Sequence, residues 1–127
     1  MITINNNLTP LVNELYELNK GLTILTPKYA HGQKVVVTLV TLVGNIVAVH
    51  KAAGFKLHSP TKFCSWCEIN ASDWHKLKLG CPCKGRNVLE AAHHWKDIKS
   101  AFSPEKVAMQ TGVCWSDLNC LPYWDPV

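Results

Sequence analysis

Cys64-Ser-Trp-Cys67 carries the most specific chemistry in this 127-residue chain. Two cysteines with two residues between them let both sulfurs of a tight turn reach one tetrahedral ion at about 2.3 Å. One such pair is half of a structural zinc site. Cys81-Pro-Cys83 offers another half, in a Cys-x2-Cys-x13-Cys-x-Cys arrangement, and His58 and His75 flank the first pair as competing ligands. The expected cofactor is zinc on Cys64 and Cys67, with the remaining ligands open among His58, His75, Cys81 and Cys83. A thiol–disulfide centre is the weaker alternative, because no βαβ pattern follows the pair. Cys114 and Cys120 read as ordinary buried or half-buried thiols.

The same region is basic. Residues 51–100 carry eight Lys and Arg86 against four acids, whereas residues 1–50 carry three Lys against two Glu and residues 101–127 one Lys against three acids. Lys51, Lys56, Lys62, Lys76, Lys78, Lys84 and Arg86 are candidates for meeting a phosphate backbone. At a net charge of +4 a solvated lysine face explains them as well. Twelve Lys stand against one Arg, a lopsided ratio.

Other chemistries find little support. The nine acids are scattered, with no paired carboxylates, and no phosphate-binding glycine loop or Gly-x-Ser-x-Gly elbow is present. Asn45, rather than an acid, follows the apolar Lys34–Val43 run. The first residues lack a basic segment followed by an apolar one, so no secretory signal is expected and the location is nuclear or cytoplasmic. The longest uncharged stretch, Val35–Val49, has fifteen residues; a membrane helix needs about 20. Cysteines in such a chain are expected to be reduced.

These side chains need elements to hold them. Apolar residues make up 47%, enough for one domain with a real core. Thr9-Pro10 reads as cap and first residue of a helix over Pro10–Asn19. Leu22–Leu25 is a short strand, and Lys34–Val43, rich in Val, Leu and Thr, reads as a long buried strand broken at Gly44. Ile46–Ala53 is a short helix ended by Gly54. From Phe55 to Arg86 periodicity vanishes. Asn87–Ile98 is helical, Ser103-Pro104 starts another helix that Gly112 ends, and Ser116–Asn119 forms a last turn. The fold class is α/β, with residues 1–54, 55–86 and 87–127 as its three segments.

Five strings in order add a resemblance: Pro10-Leu-Val-Asn-Glu-Leu, Leu39-Val-Thr-Leu-Val-Gly-Asn-Ile-Val-Ala, His50-Lys-Ala-Ala-Gly-Phe, Phe63-Cys-Ser-Trp-Cys-Glu and Leu121-Pro-Tyr-Trp-Asp-Pro. Together they resemble the central part of CACTA-type transposases, notably the family expanded in basidiomycete fungi. The resemblance implies an incomplete ribonuclease-H-like core interrupted by a cysteine-rich module. In the intact family enzyme three acids hold two Mg²⁺ ions for strand transfer. It places Cys64 and Cys67 on the family's cysteine pair, and Asn45 where the family usually has a catalytic Asp. A neutral Asn supplies none of the charge that helps hold Mg²⁺. Cys114 and Cys120 stand where the family carries Arg, and Cys81 where it carries a basic residue. Arg to Cys and Asp to Asn are single transitions, which would also explain the lone Arg.

The expected function is thus a truncated transposase remnant, catalytically inactive, with weak non-specific contact to DNA and no membrane partner. Missing segments of the parent transposase are further expected partners, and would carry its other zinc ligands. The alternative is a small zinc-stabilised binding module co-opted from the mobile element.

Overall fold

The first helix starts earlier than its sequence signals suggest. In the computed structural model, which describes residues 4–56, 61–62, 64–98 and 103–127, helix α1 spans Ile4–Lys20 with Pro10 inside it. An internal proline removes a backbone hydrogen bond and costs about 3 kcal/mol. Contacts from the far end of the chain offset that cost. Asn5 Nδ2 donates to the Trp115 carbonyl at 3.3 Å, and Asn5 Oδ1 accepts from the Asp117 N–H at 3.2 Å. The Thr9 hydroxyl lies 2.5 Å from the Asp117 carboxylate. Thr9-Pro10 is therefore not the helix start, because the turn before it is tied down by residues more than a hundred positions away.

Strands β1 (Leu22–Thr26) and β2 (Tyr29–Val35) form an antiparallel hairpin. This corrects the reading of Lys34–Val43 as a long buried strand. Only Lys34 and Val35 of that run are in β2, and residues 36–43 pair with no strand among the described residues. The run is also largely exposed, Val40 at 86% and Val43 at 93%. It is anchored by the Val37 N–H, which donates to the Leu18 carbonyl, by the Asn19 amide, which donates to the Val37 carbonyl and the Thr38 hydroxyl, by the Leu39 N–H, which donates to the Tyr123 hydroxyl, and by Leu39 and Leu42, which pack inward.

Helix α2 (Ile46–Ala53) falls where expected. Asn45 Oδ1 accepts from the Ala48 N–H at 2.9 Å, which satisfies one of the orphan donors of the first turn. At the other end Gly54 adopts φ 86°, a left-handed conformation that closes helices. Asn45→Ala is expected to cost about 1 kcal/mol of stability by removing this cap. Asn45→Asp keeps the acceptor and adds a favourable charge at the helix N-terminus, so its melting temperature should equal or exceed that of the parent. Thermal unfolding of the two variants checks both.

After α2, a two-residue ribbon pairs β3 (Cys67–Glu68) with β4 (Cys81–Pro82), with a 3-10 turn at Ala71–Lys76 between them. Helix α3 (Gly85–Asp97) and helix α4 (Pro104–Thr111) follow. The Ser103 hydroxyl caps α4 and Gly112 ends it, as the sequence suggests. A 3-10 turn at Asp117–Cys120 completes the described elements. The result is a mixed helix-and-strand chain compatible with an α/β class.

Two apolar clusters are joined by the segment 113–124. Val113 and Trp115 pack with Val88 and Ala92 of α3, while Leu118 and Leu121 pack with Val12 of α1. Phe55 bridges to Val113, the Cys114 N–H donates to the Gly54 carbonyl at 2.6 Å, and the buried Ser116 hydroxyl donates to the Ala52 carbonyl. The C-terminal segment thereby ties α1, α2 and α3 together.

Candidate functional site

The Cys64–Cys67 turn is organised around its sulfurs. Burial raises the pKa of the Cys64 thiol, but the N–H of Trp66, the Cys67 thiol and the N–H of Cys67 outweigh it, leaving the group below its ordinary value. Cys67 moves the other way. Its hydrogen bond to Cys64 and its burial raise it, against the N–H groups of Gly80 and Ile69. The two thiols are near enough for each to shift the other. Backbone donors aimed at both sulfurs are a negative-charge-stabilising cradle, the environment a thiolate needs.

The second cysteine pair is split by β geometry. Cys67 faces Pro82 and Glu68 faces Cys81. Neighbouring residues on a strand point to opposite faces, so Cys81 lies on the face away from Cys67, and it is exposed. Cys83 is held closer, its N–H donating to the Trp66 carbonyl at 2.9 Å. It lines the same cleft of about 270 Å³ as Cys64, with Lys62, Glu68, Lys84 and Asn87. Burial, then the Glu68 carboxylate, push its thiol up. His75 is exposed on the 3-10 turn. His58 lies outside the described residues. Among the described residues no three His, Cys, Asp or Glu side chains converge as a metal cage. The turn thus presents two neighbouring sulfurs where a closed structural zinc site takes four ligands.

The thiols should differ in reactivity. Alkylation depends on the thiolate fraction, so Cys64, held below its ordinary value, should reach its half-maximal rate at a lower pH than an ordinary thiol. Cys83 and Cys114, both raised by burial first, should reach theirs at a higher pH than an ordinary thiol. Peptide-resolved iodoacetamide labelling across pH 7–10 measures this; equal profiles would remove the cradle's effect.

Three of the seven candidate DNA-contacting residues are engaged within the chain. Lys56 pairs with Glu105, Lys62 lies 4.0 Å from Glu68, and Lys76 lies 2.6 Å from Asp73. Lys51 on α2, Lys78, Lys84 and Arg86 are exposed and form no ion pair among the described residues. Lys84 and Arg86 sit at the N-terminus of α3, where the helix dipole disfavours cations by about 0.3–1 kcal/mol. The Asp125 carboxylate lies over Gly85 in the same turn, so close that a Cβ at that position would have to displace it.

Sequence reasoning missed one contact. His50 Nε2 lies 3.1 Å from the Ser65 hydroxyl, at the edge of an apolar cleft lined by Leu42, Ile46, Val49, Phe55 and Trp66. Trp66 itself is 78% exposed. Spacing links Ser65 to the cysteine turn but gives no signal that His50 meets it. Asn45, read as the place of a catalytic acid, is the cap of α2. No helix among the described residues is long and apolar enough to cross a membrane. No protein-family model, no curated protein and no solved structure matches the chain.

Proposed function

We propose that this chain is the central piece of a CACTA-type DNA transposase core, ribonuclease-H-like in origin and catalytically silent. Its remaining activity is weak, sequence-independent contact with DNA in the nucleus or cytoplasm. The observation that supports this reading is the set of exposed cations, Lys51, Lys78, Lys84 and Arg86, without intramolecular ion pairs among the described residues. Two of them occupy a helix N-terminus at a cost to stability, a placement suited to an anionic partner. Catalysis is not part of the reading, because Asn45 is neutral and engaged as a cap. The resemblance expects a carboxylate there, and a two-metal mechanism depends on it.

Four phosphate contacts imply a steep salt response. With a slope near −0.9 per phosphate, affinity for duplex DNA should fall on the order of 100-fold between 50 and 200 mM salt. Fluorescence anisotropy with an arbitrary 20-base-pair duplex measures it. The Lys84→Gln/Arg86→Gln double variant should flatten the slope by about two contacts. Binding that ignores salt, or no binding at 50 mM, removes the DNA reading.

A second reading, a zinc-stabilised binding module co-opted from a mobile element, is favoured by one feature. The Cys64–Cys67 turn aims backbone donors at both sulfurs. Zinc would be held by Cys64 and Cys67, with Cys83 the nearer of the second pair, and would supply folding energy rather than chemistry. Chain refolded with zinc should retain one ion per molecule after dialysis and lose thermal stability with chelator. Chain that stays metal-free under the same protocol rules this module out.

A further inference from the structure

The β1–β2 hairpin is built like an interior element and left uncovered. Its register places Leu22 opposite Val35, and Ile24 opposite Gln33; by strand alternation Tyr29 and Val35 share their face of β2. Leu22, Ile24 and Tyr29 are 44–46% exposed. Just beyond β2, Val36, Val40 and Val43 point outward from a run that pairs with no strand among the described residues. Unpaired strand backbone beside an apolar face is a template for another strand.

Charge selects the partner. Between Glu17 and Glu68 the chain carries six Lys and no Asp or Glu. Lys28 and Lys34 stand on the hairpin itself, both exposed. A second copy docked edge to edge would bring these lysines together, which like-charge repulsion disfavours.

We propose that the β1–β2 hairpin and the 36–43 run form a docking surface for an extended, apolar and acidic segment of another polypeptide. The segment adds as a strand along the β2 side. Its backbone pairs with the free N–H and C=O groups, its aliphatic side chains cover Leu22, Ile24 and Val35, and its carboxylates meet Lys28 and Lys34. The inference goes beyond the transposase reading and does not rest on it, since it uses neither the cysteine turn nor the DNA-facing cations.

The probe is a fluorescein-labelled ten-residue peptide alternating Val and Glu, with a Val/Lys peptide of equal length as control. At 50 mM salt the Glu peptide should bind the 127-residue chain at least ten times tighter than the Lys peptide. It should also slow hydrogen exchange of amides within residues 29–43. The Lys28→Glu/Lys34→Glu variant changes only exposed side chains and should reverse the preference. Equal affinity for both peptides, or no binding of the Glu peptide at millimolar concentration, overturns the proposal. So does sedimentation showing a dimer whose 29–43 amides are already protected, because the occupant would then be a second copy. The Lys84→Gln/Arg86→Gln variant should bind DNA with the flatter salt slope and bind the Glu peptide as the parent does; peptide binding weakened in this variant overturns a separate docking surface.

Discussion

Leu118→Ala should lower the melting temperature by roughly 10–20 °C, the largest effect expected from any single truncation in this chain. Leu118 is fully buried, at 0% exposure. It packs with Val12 of α1 and Leu121, backed by Leu8, Leu15, Leu39 and Leu42. Removing three buried carbons loses their transfer free energy and leaves a cavity, together about 3–5 kcal/mol. Small domains hold only about 5–15 kcal/mol in total, so the variant should sit close to unfolding at room temperature. The neighbours hold the cavity open rather than collapsing into it. The turn that carries Leu118 is fixed by the Ser116 hydroxyl, which accepts from the Leu118 N–H at 3.2 Å, and by Asp117, bound to Asn5 and to the Trp115 indole. Leu118→Met, which conserves volume, should cost less than about 1.5 kcal/mol. Circular dichroism melts of both variants decide it. Equal melts for the Ala variant and the parent would mean that α1 does not dock on the C-terminal segment.

Gly54→Val should be nearly as damaging, by a different route. Gly54 sits at φ 86°, a region that costs a β-branched residue well over 1 kcal/mol. Space is also lacking. A Cβ there would lie 2.7 Å from the Cys114 carbonyl oxygen and 3.1 Å from the Ser116 Cβ. The backbone on both sides is engaged: the Gly54 carbonyl accepts from Cys114, the Phe55 N–H donates to the His50 carbonyl at 2.7 Å, and the Lys56 N–H donates to Gly112 at 2.8 Å. Relief of the clash therefore separates α2 from the 112–116 segment. A loss of about 3 kcal/mol or more is expected, with Gly54→Ala intermediate. The partially unfolded product should expose the Cys114 thiol, so faster labelling of Cys114 provides a second readout. A Gly54→Val chain with the parent's denaturation midpoint would show that this junction is loose.

Both residues show how unevenly the fold could be read in advance. Gly54 was legible as a stop signal for α2, because a left-handed closing residue is a local requirement. Its close approach to Cys114 was not, since sixty positions separate the two. Leu118 looked like one residue of a last turn; nothing in Ser-Asp-Leu-Asn announces a fully buried leucine. The cysteine turn was legible as a unit from its spacing. Which second cysteine lies near it was not, because the choice depends on Cys67 facing Pro82, a register that spacing alone leaves open.

What the sequence determined by itself is the set of features whose energies close within a few residues. The Asn45 cap and Gly54 end of α2, the Ser103-Pro104 start and Gly112 end of α4, the short strand after Gly21 and the sulfur-bearing turn at Cys64–Cys67 belong here. Capping, left-handed closure and turn chemistry need only neighbours along the chain. The tertiary structure alone decided where α1 begins, because the tie from Asn5 to Trp115 and Asp117 overrides the Thr9-Pro10 signal. It also decided the fate of Lys34–Val43. A β-branched apolar run states that a strand wants covering, but burial is a property of two surfaces, and among the described residues only one of them is present.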